Sequence, residues 1–579
     1  MTNPWRALLR ASMIPATAAT VHAGELLHNG IALPDEWPPL VRELKRTPGP
    51  PPPYLATPPA VIPIDVGRQL FVDDFLIEST TLKRTHHLPT YHPASPVLKP
   101  ETASDGIGLQ TRRVGAGVFS DGVWYDPADK LFKAWYWGAA MQSDRLGYNT
   151  CYATSHDGVQ WVKPTLDVVP GTNIVMQDKP GIYRNSSTVW LDLDEQDPKR
   201  RFKMFKVVIE KRGAEQNATG RLHKWLQLHT SPDGIHWTLL GNGDHCGDRT
   251  TVFYNAFRKV WVFGLRDGSK EVSRCRGYYE HADALRGLNW DGKPTGLWVG
   301  ADERDPARED ITLRRVPERP WDLVPSQLYN LDCVAYESVL LGMFSIWRGH
   351  PLAGATGNRP KVNEVCVGFS RDGFHWSRPD RRAFCPVSER PEDWNWGNVQ
   401  SAGGCCLVVG DKLYVYVTAA NRKHRATGMD ATYTGLAVLR RDGFSSMGAG
   451  NAPGTLTTRP VVFRGRYCFV NADVAEGELR VEVLGVDGTV LQPFSAANCT
   501  PISSGSTIQA VTWRDSPDLS ALSGKPVRFR FRLRGGQLYA FWVSAQTSGA
   551  SGGYVAAGGP GFIGATDTVG AAGYPATNR

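Results

Sequence analysis

Apolar residues in this chain fall in short runs bounded by Gly, Pro, Asn and Asp, and no long window repeats them at the helical spacing. Runs of this kind read as β-strands. Five of them lead into a turn that recurs along the chain. Three copies are nearly identical: Ser155-His156-Asp157-Gly158-Val159-Gln160-Trp161, Ser231-Pro232-Asp233-Gly234-Ile235-His236-Trp237 and Ser370-Arg371-Asp372-Gly373-Phe374-His375-Trp376. Arg440-Arg441-Asp442-Gly443-Phe444 keeps the turn without the Trp, and Tyr279 to Asp283 with Trp290 is a degenerate copy. Asp-Gly between apolar strands is a hairpin signal, because the turn needs a positive φ that Gly adopts without steric cost. A hairpin returning at intervals of roughly 50 to 90 residues, followed by a large aromatic, is the trace left by the blades of a β-propeller.

Each blade opens on an inner strand, and five candidates keep step with the hairpins: 114–126, 187–194, 250–257, 333–342 and 399–409. Residues 64–450 therefore read as five four-stranded blades. From Gly454 onward the runs alternate strictly, as in 478–484 and 527–533, which predicts strands with one buried and one wet face. That assigns 451–545 to a β-sandwich, so the fold class is all-β, a five-bladed β-propeller followed by a C-terminal β-sandwich. Residues 24–63 form a Pro-rich extension, with four prolines in a row at 50–53. Residues 546–579 are rich in Gly, Ala and Ser and are expected to be disordered and dispensable for stability. Gly559 to Gly564 in that tail matches a dinucleotide fingerprint by chance, since neither a strand nor a helix flanks it.

With 579 residues the chain is long enough for two or three domains, and its 19 Trp suit a turn-rich all-β protein. A net charge of +8 spread among 57 acidic residues makes no stripe for nucleic acid. No apolar run is long enough to span a membrane as a helix. The ten cysteines lack metal-ligand spacing, and those inside apolar strands read as small core residues. Residues 1–23 carry Arg6 and Arg10 before a modest apolar stretch and could be a signal peptide. Secreted or periplasmic and cytoplasmic locations are thus equally open.

The starts of the inner strands of a propeller converge on one mouth of its channel, where polar side chains distant in sequence can meet. Those positions hold Arg112, Arg113, Arg184, Asn185, Asp248, Arg249, Asn330, Asp332, Asn395, Trp396, Asn398 and Gln400. Guanidiniums, carboxylates, amides and an aromatic ring are what a sugar needs for hydrogen bonds and stacking. Arg113, Arg184, Asn185, Arg249, Trp396, Asn398 and Gln400 are the candidate substrate-binding residues. Cleaving a glycosyl bond takes two carboxyls, one protonated and one ionised. Glu337, mid-strand in an apolar run where burial raises a carboxyl's pKa, is the leading acid. Asp248, Asp74 and Asp332 follow, while Asp121 and the hairpin aspartates read as turn formers.

Leu70-Phe71-Val72-Asp73-Asp74-Phe75-Leu76-Ile77-Glu78, Gly122-Val123-Trp124-Tyr125-Asp126-Pro127 and Tyr336-Glu337-Ser338-Val339 resemble a bacterial group related to glycoside hydrolase family 32. The architecture resembles the clan of families 32, 43 and 68. That resemblance implies a glycosidase with an Asp nucleophile or base, a second Asp, and a Glu acid, although the chain has no clean copy of the fructosidases' Asn-Asp-Pro-Asn motif. The expected function is hydrolysis of a poly- or oligosaccharide. A non-catalytic carbohydrate-binding propeller, or glycosyl transfer to a sugar or phosphate acceptor at the same site, stays open. No cofactor is implied, and a structural or channel calcium stays open. The expected partner is carbohydrate, with neither nucleic acid nor membrane, on a monomer or small homo-oligomer.

Overall fold

The computed structural model describes residues 24–574 except 110–112, 140–147, 179–180, 211–222, 306–324, 349–361, 391 and 422–429. The candidate leader 1–23 and Arg112 lie outside the described residues. Five antiparallel sheets form the propeller. Their inner strands are Val123–Asp126 in blade I, Ile182–Leu191 in blade II, Thr251–Asn255 in blade III, Gln327–Glu337 in blade IV, and Asn398–Ser401 continued by Leu407–Val409 in blade V. Blade V takes its outermost strand, Thr90–Tyr91, from chain that precedes blade I, so the ring is closed by backbone hydrogen bonds between its two ends.

The recurring hairpin clasps one blade to the one before it. In blade I, Ser155 Oγ and Asp157 Oδ1 take up the backbone N–H groups of residues 157–160, and Gly158 turns at φ +75°. The Gly158 carbonyl then accepts from Tyr416 Oη of blade V at 2.6 Å. In blade II the Gly234 carbonyl accepts from Trp135 Nε1 of blade I at 2.7 Å, and a Cβ on Gly234 would meet that indole at 2.4 Å. Gly373 of blade IV closes on Asn255 of blade III in the same way. Trp161, Trp237 and Trp376 are half-buried against Tyr416, Trp135 and Trp298 of the neighbouring blades. The turn chemistry is local, but the Gly serves a non-local purpose: it lets two blades approach.

The sandwich packs two sheets over Phe71, Phe529, Phe531 and Phe541. One of them uses Gln69–Leu70 and Lys83–His86, and the other uses Ile77–Thr80. Residues 69–86, expected to lie within the propeller, thus supply three strands to the sandwich. Its alternation fits either sheet, and only the partner strands Gly536–Ser544, Ser445–Ala449 and Gly454–Thr458 decide between them.

Residues 546–574, expected to be disordered, are ordered and deeply placed. Tyr554–Val555 pairs with the end of blade IV's inner strand. The chain then crosses the far end of the channel, where the inner strands finish. Ala556 N–H donates to Ala335 O in blade IV, Ala557 N–H to Cys406 O in blade V, and Tyr125 N–H of blade I to Ala557 O. Val408 N–H donates to Gly558 O, and Tyr554 Oη to Ala256 O of blade III. Glycine here serves close approach: a Cβ at Gly559 would stand 1.8 Å from Val408 O, and one at Gly553 would stand 2.2 Å from Glu337 Oε2. The segment is a plug stitched to four blades.

Candidate functional site

With the far end plugged, the end where the inner strands begin is the accessible mouth. Asp121 lies in a short 3-10 turn (Phe119–Asp121) just before blade I's inner strand, fully buried. Arg184 Nη2 and Ser187 Oγ of blade II donate to its two oxygens, and Arg184 Nε donates to Ser187 Oγ at 2.9 Å. Burial pushes the Asp121 carboxyl up, against the pull of Arg184 and Ser187. A register shift between Arg184 and Ser186 leaves Asn185 opposite no residue, with its Oδ1 buried and unpartnered.

Asp332 is 3% exposed on the inner strand of blade IV. Its Oδ2 accepts from Ser401 Oγ of blade V at 2.6 Å and from Asn330 Nδ2 at 2.8 Å. Asn330 reaches Ser120 Oγ of blade I at 3.0 Å, so one polar knot joins blades I, IV and V. Burial pushes the Asp332 carboxyl up, offset in part by Ser401, Ser120, Arg249 and Arg276. A cavity of about 10 Å³ borders it, lined by Thr188, Trp190, Thr251, Cys333 and Gly403.

Asp248, just before blade III, is about one-third exposed and pairs with Arg266 Nη1 at 2.8 Å. Burial opposes ionisation of this carboxyl, but Arg266, Lys224, Arg249 and Arg276 outweigh it and hold its pKa below the usual carboxylate value. The next residue, Arg249, sits at φ +61°, a left-handed conformation costing an L-residue roughly 1–2 kcal/mol. Arg276 Nη1 donates to the Arg249 carbonyl at 2.6 Å, which secures this backbone. The Arg249 guanidinium is thereby aimed over the Phe119 ring, 4.2 Å from its centroid, and donates to Gln400 Oε1 of blade V. Gln400 in turn donates to Asn398 Oδ1 at 2.6 Å.

Of the residues expected at the mouth, Asp248, Asp332, Arg184, Asn185, Arg249, Asn398 and Gln400 come together there. Arg113 is in a short strand, Arg113–Gly115, whose backbone pairs with Asp430 of blade V. Trp396 is 7% exposed, so little of its ring is open to a sugar. Half-buried Phe119 and Tyr329 supply aromatic faces at the mouth instead.

Glu337 and Asp74 lie elsewhere. Glu337 ends the strand at whose middle Asp332 lies, five residues on from it, or roughly 16 Å at the rise of a strand. It occupies a two-residue turn at φ +49° beside the plug. Arg68 Nε at 3.4 Å, Arg441 Nη2 at 3.1 Å and Ser551 Oγ at 2.7 Å surround its carboxylate. Asp442 and Asp567 complete a solvent-free cluster joining blades IV and V, the sandwich and the C-terminal segment. Burial does push the Glu337 carboxyl up, as expected, but at the wrong end of the channel. Asp74 is 73% exposed and pairs with Arg84 beside the sandwich strands. Its neighbour Asp73 is the buried one, bound by Arg371.

Asp121, Arg274 and Arg276 were not among the expected site residues. Asp121 resembles a turn former because Gly122 follows it. The two arginines lie on the third strand of blade III (Ser273–His281), not on an inner strand. Their legible signal is Arg-Cys-Arg, which puts two cations on one face of the strand.

No family model and no curated protein sequence matches this chain. Among solved structures it is similar to an N-acetylgalactosamine deacetylase from F. plautii in complex with blood group B trisaccharide, at 12% identity and a TM-score of 0.41, over 62% of this chain and 96% of that one. It is similar to a family 32 β-fructofuranosidase from Bombyx mori at 9% identity and a TM-score of 0.36, over 78% and 95% of the two chains. A fructofuranosidase from Schwanniomyces occidentalis complexed with fructosylnystose gives 10% identity and a TM-score of 0.34, over 79% and 99%. The fructofuranosidases belong to the five-bladed propeller clan that the sequence resembles. At such distances these likenesses bear on no residue of the mouth, whose chemistry rests on this chain's own side chains.

Proposed function

We propose that the open mouth of the propeller binds a carbohydrate and cleaves a glycosyl bond, with Asp332 as the proton donor and Asp248 as the ionised carboxylate. The observation that carries this reading is the contrast between the two carboxyls. Asp332 is enclosed and pushed towards its neutral form, while Asp248 is partly open to solvent and held ionised by surrounding cations. Two carboxyls whose environments drive their pKa values apart are what acid/base cleavage requires. In this scheme Asp332 gives its proton to the glycosidic oxygen as the bond to the anomeric carbon breaks. Asp248 offsets the developing positive charge and takes the proton of a water whose oxygen bonds to the anomeric carbon. Gln400, Asn398 and Asn185 have the hydrogen-bonding groups that sugar hydroxyls use, and Phe119 and Tyr329 offer faces for a ring.

Release of reducing ends from a panel of oligosaccharides tests the proposal. Asp332→Asn should lower turnover by about 10²–10⁴-fold, the usual worth of a positioned acid. The same variant should be more heat-stable at pH 7. One Asn oxygen can accept both hydrogen bonds that Asp332 Oδ2 takes, and the cost of ionising a buried carboxyl disappears. The sign follows from linkage. A carboxyl whose folded pKa is raised leaves stability intact below its unfolded pKa and erodes it as pH rises through the folded value. The stability difference should therefore shrink as pH falls towards about 4. Asp248→Asn should lose turnover as well, without the gain in stability. Full activity in Asp332→Asn would overturn the assignment.

A second reading, a binding module without catalysis, is favoured by one observation. Each carboxyl at the mouth already has a partner: Asp121 has Arg184, Asp248 has Arg266, and Asp332 has Ser401. Binding of a glycan with no product over long incubation would select it.

A further inference from the structure

The mouth carries more positive charge than its own carboxyls balance. Arg184 is matched by Asp121 and Arg266 by Asp248. Arg249, Arg274 and Arg276 have no carboxylate within ion-pair distance among the described residues. Arg276 is fully buried, yet its two terminal nitrogens donate only to main-chain carbonyls, those of Arg249 and Tyr329, and its Nε has no partner. Arg274 Nη1 is likewise buried without a partner. Its guanidinium lies 5.5 Å from the ring centroid of Tyr329 and 5.2 Å from that of Trp347, both on blade IV. Arg249 lies over Phe119, and its guanidinium is 5.8 Å from the Tyr329 centroid. A buried guanidinium without a counter-charge is costly, and leaving its N–H groups unsatisfied adds to that cost. A fold that used these arginines only for packing would supply carboxylates, as it does for Arg68, Arg371, Arg378 and Arg441.

The arrangement has the form of a receptor. Guanidiniums present planar forks that match an oxyanion, and aromatic rings beside them accept the face of a sugar. Beside Arg274 a groove of about 460 Å³ opens on the rim of blade III, bordered by His245, Arg266 and Asp267. That is room for a saccharide unit next to the charged pocket.

We infer that the carbohydrate taken at this mouth carries an anionic group, a uronate carboxylate or a sulfate ester, seated against Arg249 and Arg274 between blades III and IV, with the buried Arg276 adding its charge from within the protein. The inference rests on the carbohydrate reading of the mouth and narrows it to acidic sugars.

The test measures binding of the full chain to matched oligosaccharides: oligogalacturonate and its methyl ester, a sulfated galactan oligosaccharide and its desulfated form, and neutral cello- and manno-oligosaccharides. Tight binding is expected for the uronate or the sulfated ligand. It should fall at least tenfold on esterification or desulfation and weaken as salt rises. Which acidic ligand binds identifies the oxyanion. Arg274→Gln and Arg249→Gln, chosen because neither side chain is fully buried, should each weaken that ligand about tenfold without lowering Tm. Arg274→Lys should recover part of the loss. Binding confined to neutral glycans, equal in the wild type and both variants, would overturn the inference and leave the carbohydrate reading intact. Binding of none of the six would overturn both.

Discussion

A chain ending at residue 545 is expected to unfold far below the full-length protein, by roughly 10 °C or more, or to be recovered insoluble. The truncation removes the plug that is hydrogen-bonded to the inner strands of blades I, IV and V, and it takes away Tyr554 from blade III. Each buried backbone group left without a partner costs about 1–3 kcal/mol. It also removes Asp567 and Ser551 from the fully buried cluster around Arg441 and Glu337. Breaking one partner out of a buried ion cluster costs about 3–5 kcal/mol, and each kcal/mol is worth about 2–4 °C in a large domain. Thermal unfolding of the two chains side by side measures the difference. An unchanged Tm would mean that the segment rests on the propeller without holding it.

Glu337→Ala is expected to cost about 3–5 kcal/mol, with no effect on chemistry at the mouth in whatever folded protein remains. The substitution strips the acceptor from Arg441 Nη2, Ser551 Oγ and the Arg68 N–H, all inside the protein. Glu337→Gln should be much milder. It keeps the shape and an acceptor, and the two guanidiniums of Arg68 and Arg441 still face the two carboxylates of Asp442 and Asp567. Arg68 and Arg441 already hold Asp442 below the usual carboxylate range despite its burial. The ordering, Ala severe and Gln mild, read by denaturant unfolding, separates a structural carboxylate from a catalytic one. If Glu337→Gln abolished turnover while leaving unfolding untouched, Glu337 would have to act on substrate.

What could be read from the sequence divides along physical lines. The blades were legible because an Asp-Gly turn declares itself within seven residues: Asp157, Asp233 and Asp372 cap their own turns. The inner strands were legible because each is a run of apolar residues opening on polar ones. The destination of 69–86 was not, since alternation says that a strand has two faces and nothing about which sheet receives it. The order of the C-terminal segment is hidden from the sequence for a related reason. Its order comes from backbone hydrogen bonds to other strands and from glycines that permit contact, as at Gly553 and Gly559, with few large apolar residues to announce it. Phe562 and Tyr574 are among the few, and both are buried.

The site was half legible for the same reason. Burial of Glu337 could be inferred from its neighbours, but which end of the strand faces solvent depends on where the tail lies. Asp332, five positions earlier at mid-strand, is the carboxyl tied through Asn330 and Ser120 to the open end. Arg276 was invisible from its position in sequence because its role depends on bending back to hold the strained Arg249.

The central claim is that function resides at the open mouth, with the opposite end closed by the chain itself. Hydrogen–deuterium exchange of the full chain, with and without the tightest-binding oligosaccharide, tests this most directly. The account predicts slower exchange on binding at 119–122, 182–188, 247–252, 274–277, 327–332 and 398–401, with no change at 334–337 and 554–558. Protection confined to the plugged end or to the sandwich strands, with the mouth unaffected, would contradict it.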